Sequence, residues 1–433
     1  MSLSCHPERG EEAHFFGFVE GDRVTFSGIL SAPMSKTVVL VYSGGLDTTV
    51  CIPLLREEYG FEHVVTVTVD VGQPREDITD AAERAKILGT EHYTVDARAE
   101  FAAHYCMPAV KANADYQGYP LSTAIARPLI AQKAAEIAQT LPRVDAFAHG
   151  CTGKGNDQFR IEFMLRTLMP GIPIIAPMRE RNMTRSEEIE YARARGVPIH
   201  QSSEKIWSID ENLWGRSVEG GRLEDPSYAP PEEIYQWTRS PQEAHHAPQI
   251  IEIAFENGVP TAIDGQPMEP LVLIQYLNEL AGEHGVGRID MMEDRLIGLK
   301  VRENYECPAA VTLITAHRAL EALVGTRDEL RFKAQADRAW AELAYAGLWI
   351  DPFKESLEAF INKVQERVSG KVWLRLYKGS ATVVGRESRW ALYDAAAASF
   401  DDKSFDQSEM SGAVKAHGMP ARLYYQLKRR ETG

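Results

Sequence analysis

The chain has 433 residues, 44% of them hydrophobic and 25% charged, and a formal net charge of −15, a length that suits two or three globular domains with a sizeable core. The acidic balance excludes a protein whose main task is gripping nucleic-acid backbone and favours small-molecule chemistry. Five cysteines, far apart and without a C-x-x-C pair, encode neither a disulfide framework nor a structural zinc site, no run reaches the roughly 18 apolar residues of a membrane span, and no export signal opens the chain. A cytoplasmic protein without a membrane partner is expected.

Residues 1–33 are polar and mixed and read as an appendage, with Met34 a second plausible start. From Lys36 the pattern alternates: apolar "TVVLVY", helical "LDTTVCIPLLREEYG", apolar "HVVTVTVDV", then helical "REDITDAAERAKILG" with Ile78, Ala81, Ala85 and Leu88 at helical spacing. Helical "TAIARPLIAQKAAEIAQ" and the strand-like "VDAFAHG" and "IPIIAP" follow. Short apolar strands alternating with helices imply βαβ units on a parallel sheet covered on both faces. The fold class is therefore α/β, with a doubly wound, mostly parallel nucleotide-binding domain over residues 34–196. The stretch "WSIDENLWGRSVEGGRLEDPSYAPPEE" reads as loop-rich. Mixed strands and helices then predict an α+β domain over 197–393, with strands at "KVWLRLYKG" and "TVVGR" and a helix near 352–368. Residues 394–433 read as an extended helix or tail, too polar to fold alone and suited to contacts between subunits.

Four stretches carry chemistry. In "VYSGGLDTTV" a strand ends at Tyr42 and a helix begins near Leu46, and the intervening glycines let backbone N–H groups and the helix N-terminus converge on an anion. Neither a Walker loop nor a G-x-G-x-x-G occurs. The hydroxyls of Ser43, Thr48 and Thr49 can donate to phosphate oxygens, and Asp47 suits a Mg²⁺ shell or helix capping. "HGCTGKGNDQFRIE" follows a strand, where ligands of open α/β sheets bind. Its glycines admit a ligand, and Asn156, Asp157 and Arg160 offer an amide, an acid and a bidentate cation; Asn156 or Asp157 as an N-cap is the structural alternative. "WSIDENLWGRSVEGG" suits a polar lid, with Trp214 readable as core. In "HGVGRIDMMEDRLIGLKVRENYE", Glu293 and Tyr305 stand out as zwitterion contacts, an acidic helix face being the alternative.

The first loop resembles the pyrophosphate loop of the N-type ATP pyrophosphatases, which split ATP between its α and β phosphates and adenylate a carbonyl oxygen. With "ARPLIA", "HGCTGKGNDQFR", "SIDENLWGRS", "EGGRLEDP", "LNELAGEHGVGRID", "AHRALE" and "YKGSATVVGRES", the chain from about Met34 through Tyr393 resembles the argininosuccinate synthase family, which joins citrulline to aspartate. The resemblance implies ATP contacts from Tyr42, Ser43, Gly44, Gly45, Leu46, Asp47, Thr48, Thr49, Val69 and Gly150. It implies aspartate contacts from Thr152, Asn156 and Asp157. Citrulline contacts follow for Tyr119, Thr123, Asn156, Arg160, Ser208, Ser217, Glu293 and Tyr305. Asp47, Asp157 and Arg160 are implied as catalytic, Mg²⁺ as travelling with ATP near Asp47 rather than in a protein cage, and a homotetramer as the assembly.

The chain departs from the family pattern at Val41, Thr49, Ala124, Met178, Val301 and Cys307. Ala124 stands where many members of the family carry a citrulline-contacting serine, with Thr123 beside it able to donate instead, and Val301 breaks the family's usual K-S-R, so a paralogue adenylating another ureido or carboxyl acceptor is the alternative. A tRNA thiolase would need a reactive cysteine pair and a basic surface, and an amidating synthetase a glutaminase domain. A purely binding protein would not need Asp47 beside Ser43 and Thr49.

Overall fold

Two β-branched runs, β1 (Thr37–Val41) and β2 (His63–Asp70), are buried almost throughout, as strands covered on both faces must be. With β3 (Glu91–Asp96), β4 (Ala146–His149) and β5 (Ile174–Ile175) they form a parallel sheet in the order β3-β2-β1-β4-β5. The computed structural model describes residues 35–198 and 207–432; the leader of residues 1–33 lies outside them. Alternate residues of β1 serve opposite faces. Val38 and Leu40 pack with Ile52, Leu54 and Leu55 of the helix Leu46–Glu57, while Val39 and Val41 join Leu129 and Ala135 of the helix Ala126–Thr140. Strand order reverses at β1, so the loops leaving β1 and β4 diverge and open a crevice at their carboxyl ends. β3 is an edge strand in which no residue is fully buried, which is why no apolar run announces it.

The second half contains β6 (Ser208–Asn212), β7 (Gly215–Glu219), β8 (Gln249–Glu256), β9 (Val259–Ile263), β10 (Gln266–Pro267), β11 (Arg288–Asp294), β12 (Lys300–Glu306), β13 (Gly370–Tyr377) and β14 (Ser380–Glu387). These form two antiparallel sheets, β10-β9-β8-β13-β14 and β11-β12-β7-β6. The stretch read as a glycine-rich lid is thus a β-hairpin, and the acidic stretch read alternatively as a helix face is the hairpin β11–β12. Polar residues alternate in both, because one face of this sheet lines a polar crevice and period-2 hydrophobicity disappears. Trp214 is core: fully buried, it donates from Nε1 to Pro120 O at 2.9 Å. The tail carries the helices Met410–Ala416 and Met419–Thr432, whose described residues are exposed.

The two halves share one apolar core, running from Val39 and Val67 through Leu213 and Trp214 to Leu277, Leu313, Trp340 and Leu374. The hairpin β6–β7 docks on the end of β2, where Leu213 N donates to Val71 O at 2.9 Å. A side chain on Gly72 (φ +102°) would sit 2.7 Å from that nitrogen, so only glycine fits. On the far face of the β6–β7 sheet, Glu306 is 1% exposed and accepts from Arg216 Nη1 (2.9 Å), from the backbone N–H groups of Gln236, Trp237 and Thr238 (2.9–3.0 Å) and from Thr238 Oγ1 (2.7 Å). Glu306→Ala would strand three buried N–H groups and leave Arg216 with only Glu211 and Ile234 O, and should cost roughly 3–5 kcal/mol, read as a lowered calorimetric unfolding midpoint; an unchanged midpoint would show that water reaches this face.

Candidate active site

The β1–helix turn is shaped by glycine. Gly44 has φ +76° and a Cβ there would lie 2.6 Å from that of Ala81, while a Cβ on Gly150 would meet Thr48 Cγ2 at 2.8 Å. The helix Leu46–Glu57 starts at Gly45 with no side-chain cap, leaving its first N–H groups for an anion. Ser43 and Gly45 are exposed, and Ser43 Oγ lies 3.1 Å from Thr48 Oγ1. The Thr49 hydroxyl donates to Gly44 O (3.2 Å) and meets Tyr42 OH (3.2 Å), so it braces the loop from within. Arg84 also clamps Gly44 O.

Across the crevice the Gly150–Gly155 turn is held by His149, whose Nδ1 accepts from Cys151 N (3.1 Å) and whose Nε2 meets Glu162 (3.2 Å). Asn156 does occupy the N-cap position of the helix Asp157–Leu168, but its side chain makes no cap bond. Its amide instead donates to Tyr345 OH (2.7 Å) and Glu293 Oε1 (3.2 Å) and accepts from Leu296 N (2.9 Å). One helical turn on, Arg160 donates to Asp157 Oδ1 and Tyr345 O (both 2.9 Å) and lies over the Tyr345 ring. Asp157 in turn accepts from Arg127 Nε at 2.7 Å, and Arg127 also grips Asp210. Burial would raise the Asp157 carboxyl, but the charges of Arg127 and Arg160 outweigh it and hold it near about 2. Asp210 is pushed up by burial.

The register of the β11-β12-β7-β6 sheet builds the remaining wall. Tyr305 pairs with Ser217, Ser217 with Asp210 and Ser208 with Glu219, so these side chains share one face with Glu303 and Glu293. A slip of one residue would turn all of them away. Tyr119 stacks on Tyr305 at 4.3 Å.

All the residues that the sequence nominated line this single cleft of about 1000 Å³: the loop from Tyr42 to Thr49, Val69, Tyr119, Thr123, Gly150, Thr152, Asn156, Asp157, Arg160, Ser208, Ser217, Glu293 and Tyr305. Ala124 is buried beside Thr123, and Cys307 and Met178 are buried core. Sequence reasoning missed Arg127, Asp210, Glu219, Arg295, Glu303 and Tyr345. Arg127 and Asp210 lie within quoted motifs but earn their role only through a contact across 83 residues, and Tyr345 has the spacing of an ordinary core residue.

The model for the arginosuccinate synthase N-terminal HUP domain matches residues 37–198, and that for the arginosuccinate synthase C-terminal domain matches residues 207–424. The chain is similar to proteins named argininosuccinate synthase from Methanocaldococcus jannaschii (58% identical, covering 92% of this chain and 100% of that one), Methanopyrus kandleri (58%, covering 89% and 98%) and Archaeoglobus fulgidus (56%, covering 90% and 99%).

Arg127→Gln should let the Asp157 carboxyl rise from about 2 to roughly 4 or above, followed by carboxyl NMR; a value that stays low would assign the depression to Arg160 alone.

Proposed function

The chain belongs to the argininosuccinate synthase family, and we propose that its cleft joins citrulline to aspartate at the expense of ATP, giving argininosuccinate, AMP and pyrophosphate in arginine biosynthesis. The observation that carries this reading is the convergence of the phosphate-type loop, the Asn156–Arg160 turn and the polar sheet face on one cavity at the switch point of the parallel sheet.

In this reading the ureido oxygen of citrulline attacks the α-phosphorus of ATP, the bond to the bridging oxygen breaks, and pyrophosphate departs. The charge growing on it meets the N–H groups of the Gly44–Leu46 turn and the helix N-terminus, already aimed there. The α-amine of aspartate then attacks the activated ureido carbon, AMP leaves, and the amine gives up a proton. A carboxyl held near about 2 by two arginines is a poor proton acceptor near neutrality, so Asp157 serves to orient the amine. Arg160 has five donors, of which the fold uses two; the others suit an α-carboxylate.

Asp47, Ser43 and Thr48 are oxygen donors beside the phosphate loop, the hard-ligand set that suits Mg²⁺. Bound with the nucleotide, the ion would neutralise phosphate charge there. The family assembly, a homotetramer in the cytoplasm, completes the reading. Among the described residues no helix is long and apolar enough to cross a membrane.

Purified protein given Mg-ATP, citrulline and aspartate should form argininosuccinate and AMP in equal amounts, and only with both amino acids present. Adenylation of another ureido or carboxyl compound in place of citrulline would instead identify a paralogue. Arg160→Ala should lower kcat/KM for citrulline by roughly 30- to several-thousand-fold with the fold retained by circular dichroism; wild-type turnover would remove Arg160 from the site.

A further inference from the structure

The sheet face presents more acid than the resemblance assigns. Glu303 and Glu293 are 8% and 2% exposed, and between them stands Tyr305, whose OH lies 2.7 Å from Glu303 Oε2 and 3.1 Å from Glu293 Oε2. A phenol has one proton, so it can donate to only one of these oxygens at a time. Glu293 Oε1 also accepts from Tyr345 OH at 2.6 Å and from Asn156 at 3.2 Å. Glu303 Oε1 has a single guanidinium partner, Arg295 at 3.0 Å, which Glu219 shares at 2.5 Å. Three carboxyls thus face Arg295, and the Arg160 charge that reaches Glu293 is shared with Asp157. A water-poor wall with that surplus must hold a proton or receive a cation.

We propose that Glu303 is a specificity-determining residue of the cleft: with Glu293 it forms a two-carboxylate receptor for the α-ammonium of the acceptor amino acid, positioned by Arg295 and Glu219. The proposal rests on the reading of citrulline as acceptor. The groups facing Glu303 are Glu219 on β7, Glu293 on β11, Arg295 just after it and Tyr305 on β12, with Tyr119 stacked behind. Burial, then Glu219 and Glu293, pushes the Glu303 carboxyl up to about 8. Glu219 is raised by burial too, and near pH 7 the pair keeps a proton. An arriving ammonium favours the ionised form, so the proton passes to the buffer and binding tightens as pH rises towards 8.

The test is isothermal titration of the wild-type protein with L-citrulline at pH 7 in buffers of different ionisation enthalpy, beside the same titration with 5-ureidopentanoate, which lacks only the α-amine. Citrulline should release up to about one proton and 5-ureidopentanoate none, with affinity about tenfold or more weaker. Glu303→Gln, which keeps shape and an acceptor for Arg295, should abolish the proton release and raise KM for citrulline by about tenfold, with a much smaller effect on kcat and none on KM for ATP; Glu303→Asp should keep the release. No proton release from the wild-type protein, or equal binding of the two probes, overturns the proposal, as does a Gln variant with the wild-type KM. Those results leave argininosuccinate formation intact. A wild-type protein that binds citrulline with proton release yet forms no argininosuccinate overturns the proposed reaction instead.

Discussion

A chain of alternating charge, Arg160–Asp157–Arg127–Asp210, is the interaction on which the cleft depends. It ties the helix Asp157–Leu168 to the helix Ala126–Thr140 and both to β6, joining the parallel sheet to the antiparallel one. Each member is partly or wholly out of water, where an unpaired charge would cost several kcal/mol, so the elements that carry them have little freedom to drift apart. The geometry offered to a ligand is set by this network before any ligand arrives, as positioning chemistry requires.

Much of this was legible in the sequence because its signals are local. The βαβ alternation needs only a short window of periodicity, and the turn from Tyr42 to Leu46 declares itself through two glycines, of which Gly44, at φ +76° and against Ala81, admits no side chain. The polar hairpins were the harder case. In β6–β7 and β11–β12 both faces carry polar groups, one toward the cleft and one into the buried Arg216–Glu306 pair, so the hydrophobic alternation that marks a strand vanishes where the strand is functional. Tertiary pairing overrides the local pattern there.

Other parts were hidden because no window of sequence contains them. Arg127 meets Asp210 across 83 residues and Asn156 meets Tyr345 across 189. Tyr345 looks like one more apolar position at the end of an amphipathic helix, yet its hydroxyl and carbonyl organise Asn156, Glu293 and Arg160. Thr49 shows the converse: a hydroxyl in a phosphate-type motif that the fold spends on its own backbone.

Among the described residues, one apolar core continues from β1 through the β6–β7 hairpin to the helix Pro308–Val324. Parting the halves would bring Leu213, Trp214 and their neighbours into water, at a free-energy cost that grows with the apolar area exposed. Entry of a nucleotide and two amino acids without exposing that core would fall to side chains and loops at the rim of the cleft, above a floor built on packed apolar residues.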